Sequence, residues 1–132
     1  MTVVDASALL EFLLQTPLGL RIETRLFDDG DDLHAPHLID VELAQALRRL
    51  VRAGDVTAAR AEEALIDLGD LNLRRYAHAP LIGRAWDLRE NLTAYDAMYV
   101  ALAEGLDAPL VTCDGALGDT PGHDARIEVI RG

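Results

Sequence analysis

The sequence predicts an α/β fold: a parallel β-sheet flanked by helices on both faces. Short apolar runs alternate with helix-length stretches, and caps or breakers mark each changeover. Asp5 and Asp114 each close an apolar run, at the carboxyl ends of predicted strands. In open parallel sheets that rim is where ligands bind.

Residues 3–5 are the first predicted strand. Ala6–Leu14 reads as a helix, and Pro17 ends it or opens the next, over residues 18–27. The acidic run "DDGDD" at 28–32 reads as a solvated turn, because a calcium loop would need a Glu at its twelfth position. A short strand follows at 33–35. Leu38–Ala53 is a long helix with Ile39, Leu43, Ala46, Leu47 and Leu50 on one stripe, closed by Gly54. Thr57 caps a helix to residue 68. Residues 73–77 form the third predicted strand. Pro80 opens a helix to residue 90. Thr93 caps another through residue 104, which Gly105 ends. Residues 109–112 and 127–130 are the last two strands.

The 132 residues correspond to one domain, 1–132, half of it hydrophobic, so a packed core is expected. The longest apolar run, residues 97–103, is far shorter than the ~20 residues that span a bilayer. With no leader-like N-terminus and a single cysteine, Cys113, a reducing cytoplasmic setting is expected. Cys113 reads as a small buried hydrophobe. There are 23 acidic residues and 12 basic ones; all the basic ones are Arg, and the net charge is −11. Such a chain does not coat nucleic acid by bulk charge, although a few Arg can still grip phosphates.

Four acids stand out: Asp5, Glu42, Asp96 and Asp114. Each has an ordinary structural use. Asp5 can cap the helix after it, Glu42 can be solvated beside its helix's apolar stripe, Thr93 with Asp96 fits a loose capping box, and Asp114–Gly115 is a turn dipeptide. Asp96 breaks the tie. Its helix is apolar nearly all round and therefore buried, and a carboxylate entering buried surroundings needs a counter-charge. The chain has no Lys to provide it. Four converging carboxylates would repel one another: each pair about 5 Å apart costs roughly 3 kcal/mol at an effective dielectric of ~20. Oxygen ligands with retained water suit Mg2+, or Mn2+, rather than zinc.

Four stretches, "VVDASALLEFL", "PHLIDVELAQAL", "LTAYDAMYVALAE" and "PLVTCDGAL", together resemble PIN-domain ribonucleases of the VapC toxin family, and the likeness runs over the whole chain. The resemblance implies a PIN-like fold and a magnesium-dependent endoribonuclease. Its four acidic positions fall on Asp5, Glu42, Asp96 and Asp114, and its supporting hydroxyls on Ser7 and Thr112. Metal contact is implied at Asp5 and Asp96, with Glu42 and Asp114 acting through water. Asp119 is a further acid that could share the fourth role with Asp114. The resemblance also implies RNA as substrate, a homodimer, and a cognate antitoxin of the VapB kind. An open acidic pocket attracts a guanidinium, so the antitoxin is expected to insert a peptide with an Arg among the four acids.

Three rival readings compete with this one. A phosphoryl-transfer domain of the receiver or haloacid-dehalogenase kind would want a Lys, and the latter a second Asp where Ser7 stands. A metal-free ribonuclease would need a close histidine pair, whereas His34, His37, His78 and His123 are scattered and read as solvated. A catalytically weak PIN-fold binding module would have no need of all four acids. Arg48, Arg49, Arg52, Arg74, Arg75, Arg84 and Arg89 are the candidates for phosphate contact, with helix solubility as their ordinary use. Trp86 and Tyr99 read as core.

Overall fold

The computed structural model describes residues 1–132 apart from Asp29 and Asp31. Among the described residues there are five strands: β1 (Thr2–Val4), β2 (Leu33–Pro36), β3 (Leu73–Tyr76), β4 (Leu110–Thr112) and β5 (Ile127–Val129). They pair in parallel throughout, in the order β3-β2-β1-β4-β5. The helices are α1 (Ala6–Leu14), α2 (Pro17–Phe27), α3 (Leu38–Ala53), α4 (Ala58–Asp70), α5 (Ala79–Asp87), α6 (Ala94–Leu106) and α7 (Gly115–Gly118). This is the predicted α/β architecture.

Adjacent strand residues point to opposite faces of a sheet. Val3 and Val4 are both fully buried, as are Leu110 and Val111. Burial on both sides requires cover on both faces, which is why these strands read as unbroken apolar runs. In the strand order the chain steps from β1 outward through β2 and β3, then returns to β4 on the other side of β1. The carboxyl ends of β1 and β4 therefore flank the switch point of the sheet, where a crevice opens. Asp5 follows β1 and Asp114 lies two residues past β4.

Local signals set the helix boundaries. Asp5, Thr16, Thr57, Thr93 and Asp114 each accept a backbone N–H at the start of the helix they precede. Such caps contribute about 1 kcal/mol each. Gly54 ends α3 in the left-handed region, with φ 80°. Bidentate ion pairs brace the surface. Arg75 donates to Asp40 at 2.7 and 2.9 Å, joining β3 to α3, and Arg84 donates to Glu104 at 2.7 and 2.9 Å, joining α5 to α6. These two Arg are committed to carboxylates, which removes them from the predicted phosphate contacts.

Several expectations need correction. The helix of Pro80 ends at Asp87, short of residue 90, and Leu88 caps it. Gly105 does not end α6; the helix runs one residue further and Asp107 turns it, with φ 50°. α7 arises where a simple turn was expected, with Asp114 as its cap. Trp86 is not core: it is 66% exposed, with the Arg89 guanidinium over its ring at 4.6 Å. His34 is not solvated: it lies buried in β2, bonded through Nδ1 to Tyr76 Oη at 2.7 Å and through Nε2 to Asp32. Cys113 is half-buried, and its thiol is pushed up to about 11 by burial and by the charges of Asp5 and Glu11. Of the acidic run at 28–32, Asp29 and Asp31 lie outside the described residues.

Candidate functional site

Asp5 stands where β1 gives way to α1, and it is 7% exposed. Its Oδ1 accepts from Ser7 Oγ at 2.7 Å and from the Ala8 N–H at 3.0 Å, and its Oδ2 accepts from Thr112 Oγ1. The same hydroxyls reach onward: Ser7 Oγ accepts from the Cys113 N–H at 3.0 Å, and Thr112 Oγ1 from the Asp114 N–H at 3.0 Å. One network therefore joins the carboxyl ends of two neighbouring strands, and Asp5 is its centre. Ser7 and Thr112 each donate to the Asp5 carboxylate. Asp5 also caps α1, so its ordinary use and its place in the site coincide.

Glu42 sits on the first turns of α3, half-buried rather than solvated. Tyr99 Oη donates to its Oε1 at 2.7 Å. Tyr99 is the site residue that sequence reasoning missed. It was read as core, and its ring is buried, but a buried tyrosine hydroxyl needs a partner. Its spacing was the available signal: three residues past Asp96, it shares that helix face. Asp96 occupies the first turn of α6, half-buried, with its N–H on Thr93 Oγ1 at 3.2 Å. The rest of that helix is buried on all sides from Ala97 to Ala103, as its composition predicts.

The acids feel one another. Burial raises the Asp5 carboxyl above the ordinary value, against the bonds from Thr112, Ser7 and Ala8, and the charge of Asp96 adds to the rise. Glu42 is raised by burial, opposed by the Tyr99 bond, and raised further by Asp96 and Asp5. Asp96 is raised by burial and by Asp114. Asp114 is the outlier of the four. It is exposed, and its Oδ1 accepts from the Ala116 N–H at 2.9 Å. Asp119 is exposed at the far end of α7. Arg131 packs its guanidinium over Gly115, next to Asp114. Among the described residues, no ion pair reaches any of the four acids.

The convergence is looser than the sequence suggested. Among the described residues, no three His, Cys, Asp or Glu side chains form a ready-made metal cage. The reason is physical: hydroxyls and an amide already engage both Asp5 oxygens, and Asp114 turns outward to cap its own helix. The donor set still fits a hard divalent cation. It is all oxygen, it carries uncompensated negative charge, and Mg2+ prefers one or two carboxylates with several retained waters.

Two expected results follow from this geometry. Asp5, Glu42 and Asp96 hold protons more tightly folded than unfolded, so their contribution to stability falls as pH rises. It is fully present below the ordinary values of 3.8 for the aspartates and 4.5 for Glu42, and is lost as pH climbs through the raised folded values. Asp96→Asn should therefore stabilise the protein in chelator at neutral pH by roughly 1 kcal/mol, after allowing for solvent screening of a half-exposed group, read as a higher Tm. That gain should vanish near pH 3. The raised Asp96 carboxyl indicates that burial and repulsion outweigh the favourable α6 dipole. A lower Tm at neutral pH would contradict this. Tyr99→Phe leaves Glu42 without its donor. If Glu42 works in a reaction, kcat should fall by roughly tenfold, as is usual for a residue that orients a working group, with Tm within a few degrees. An unchanged kcat would make Tyr99 purely structural.

Comparison with known proteins identifies the family and the fold. The family model described as PIN domain matches residues 2–122. The chain is 41% identical over 130 residues to Ribonuclease VapC12 of Mycobacterium tuberculosis, covering 98% of this chain and 99% of that one. The crystal structure of PAE2754 from Pyrobaculum aerophilum superposes with a TM-score of 0.73 at 28% identity, over 97% of this chain and 83% of that one. A crystal structure of VapBC2 from Rickettsia felis, bound to a DNA fragment from its promoter, shares the fold with a TM-score of 0.69 at 12% identity, over 97% of both chains. With Asp5 and Asp114 past the ends of adjacent parallel strands, and with this likeness over nearly its whole length, the chain belongs to the PIN-domain family, in its VapC group.

Proposed function

We propose that this chain is a divalent-metal-dependent endoribonuclease, the toxin of a toxin–antitoxin pair acting in the cytoplasm. One observation carries the reading. Three carboxyls at the switch point of the sheet raise or are raised by one another, and among the described residues none has an ion pair. Such a cluster destabilises the fold as it stands, and a bound cation would offset that cost. The relatives named ribonuclease lend the substrate class.

In this reading Asp5 and Asp96 would hold Mg2+ or Mn2+, and Glu42 and Asp114 would assist through water. When bound, the ion supplies Lewis-acid charge to a phosphodiester oxygen and acidifies a water. The protein's own part is positional. Ser7 and Thr112 fix the Asp5 carboxylate from two sides, so it spends little free energy on reorganisation. Glu42, steadied by Tyr99 and with a raised carboxyl, is suited to take a proton from the attacking water near neutral pH. Water's oxygen joins phosphorus, the bond to the departing sugar oxygen breaks, and solvent protonates that oxygen.

The partner is a VapB-like antitoxin whose peptide places an Arg among Asp5, Glu42, Asp96 and Asp114. A guanidinium there answers the same uncompensated charge as the metal and excludes the phosphate. Exposed Trp86 and Ile82 on α5 supply an apolar face for a homodimer. The direct test is incubation of purified protein with cellular RNA and Mg2+. Discrete fragments that are absent with Glu42→Gln support the reading. Fragments identical for both proteins would overturn the role given to Glu42 and point to a contaminating nuclease.

A further inference from the structure

Beside the acids, α3 and the start of α6 enclose a cleft of about 400 Å³ lined by Leu38, Val41, Glu42, Gln45, Arg49 and Tyr95. The volume falls in the range of small-ligand sites, roughly 300–1,000 Å³. We propose that this cleft receives one nucleotide of the RNA next to the scissile phosphate, with its base stacked on Tyr95 and its phosphate on Arg49. The proposal rests on the nuclease reading and adds the residues that grip and select the substrate.

Four observations carry it. Glu42 belongs to both the cleft and the acid cluster, and Tyr95 immediately precedes Asp96, so the cleft opens directly onto the site. Tyr95 is 63% exposed although its helix is otherwise the most buried in the protein; its ring covers nothing in the core. Glu42, Gln45 and Arg49 follow one face of α3, at spacings of three and four residues. The cation thus stands about 10 Å along the helix from the acid, clear of being neutralised by it. Finally, Arg49 is exposed and, among the described residues, makes no ion pair, whereas Arg75 and Arg84 are spent on Asp40 and Glu104.

The chemistry selects a nucleotide over a peptide. A chain of net charge −11 repels RNA except where a cation stands free. An aromatic face, an amide and a guanidinium in one cleft match the base face, base edge and phosphate of unpaired RNA. An apolar peptide segment would use Leu38, Val41 and Tyr95, but would leave the exposed Gln45 and Arg49 to water.

The test is cleavage of a short random-sequence RNA pool in Mg2+, with kcat and KM separated and the cut sites sequenced. Tyr95→Ala should raise KM roughly tenfold, the scale of one lost base-stacking contact. It should also broaden the base preference beside the cut, and Tyr95→Trp should restore both. Arg49→Ala should raise KM and reduce the salt dependence of log KM by about 0.7, one phosphate contact on a single strand. Arg126→Ala removes an equal charge at the other end of α6, where it pairs with Asp107, and should leave KM unchanged. Wild-type cleavage with unaltered KM and cut sites in Tyr95→Ala and Arg49→Ala overturns the proposal and leaves the cleft to a protein partner. An equal rise in KM for Arg126→Ala also overturns it, since bulk charge would then explain the effect. Wild-type protein that leaves the pool intact overturns the nuclease reading itself.

Discussion

Asp5→Asn should abolish RNA cleavage, by roughly a thousandfold, the scale of losing one preorganised charged contact in an active site, while the protein stays folded. The hydrogen-bond accounting explains why the fold tolerates it. The amide oxygen of Asn can still accept from Ser7 Oγ and the Ala8 N–H, so α1 keeps its cap. Its NH2 group then donates to Thr112 Oγ1, which also accepts from the Asp114 N–H and can turn its own proton toward Ser7 Oγ, 3.3 Å away. Each donor that the Asp5 carboxylate engages keeps a partner, and a buried charge raised by its surroundings is gone. Tm in chelator should therefore stay level or rise at neutral pH. Asp5→Ala is the contrast. It removes the cap and leaves the Ala8 N–H unpaired, which should cost at least about 1 kcal/mol. Circular dichroism and melting of both variants, run beside the cleavage assay, separate the two roles. An Asn variant that melts as low as the Ala variant would show that the carboxylate is needed for the fold itself.

Gly19→Ala should lower stability more than any surface change, by about 3 kcal/mol, or roughly 10 °C in Tm. Gly19 sits in the first turn of α2, where its N–H donates to Thr16 Oγ1 at 2.9 Å. A Cβ added there would lie 2.0 Å from the Glu11 carbonyl oxygen, 2.6 Å from its carbon and 3.2 Å from Phe12 Cα. All three atoms are backbone, so no side chain can swing aside. α2 would have to move away from α1, the helix that carries Ser7 and is capped by Asp5. Gly69→Ala is the control: its Cβ meets nothing within 4 Å, and Gly→Ala in the last turn of α4 should leave stability level or raise it by less than about 1 kcal/mol. Equal Tm values for the two variants would refute the close packing of α1 on α2.

The close approach at Gly19 marks a limit of what spacing reveals. "TPLG" announces a capped helix start and nothing about the neighbour it touches. What the sequence did disclose came from local rules with one clear physical cause. An apolar run stopped by Asp placed the ends of β1 and β4. The all-round apolar 97–103 stretch placed α6 in the interior and exposed the oddity of Asp96 at its head. Misses arose where tertiary contact decides. Trp86 lies at a helical apolar spacing, yet its side faces solvent, because periodicity gives a face but not its partner. His34 reads as solvated from the sequence, whereas Tyr76, forty-two residues later, supplies a partner on the neighbouring strand. The same holds for the site. Its four acids were legible one by one, but the Tyr99–Glu42 bond and the outward turn of Asp114 depend on how α6, α3 and α7 meet.

The central claim is that these carboxylates form a cation-dependent centre for cutting RNA. The most direct measurement titrates Mg2+, and separately Mn2+, into chelator-stripped protein, following melting temperature and RNA cleavage together. The account predicts no cleavage in excess EDTA, recovery as either ion is restored, and a rise in Tm over the same concentrations that Asp96→Asn weakens. Undiminished cleavage in excess chelator, or metal-dependent cleavage with full activity in Asp96→Asn, would contradict it.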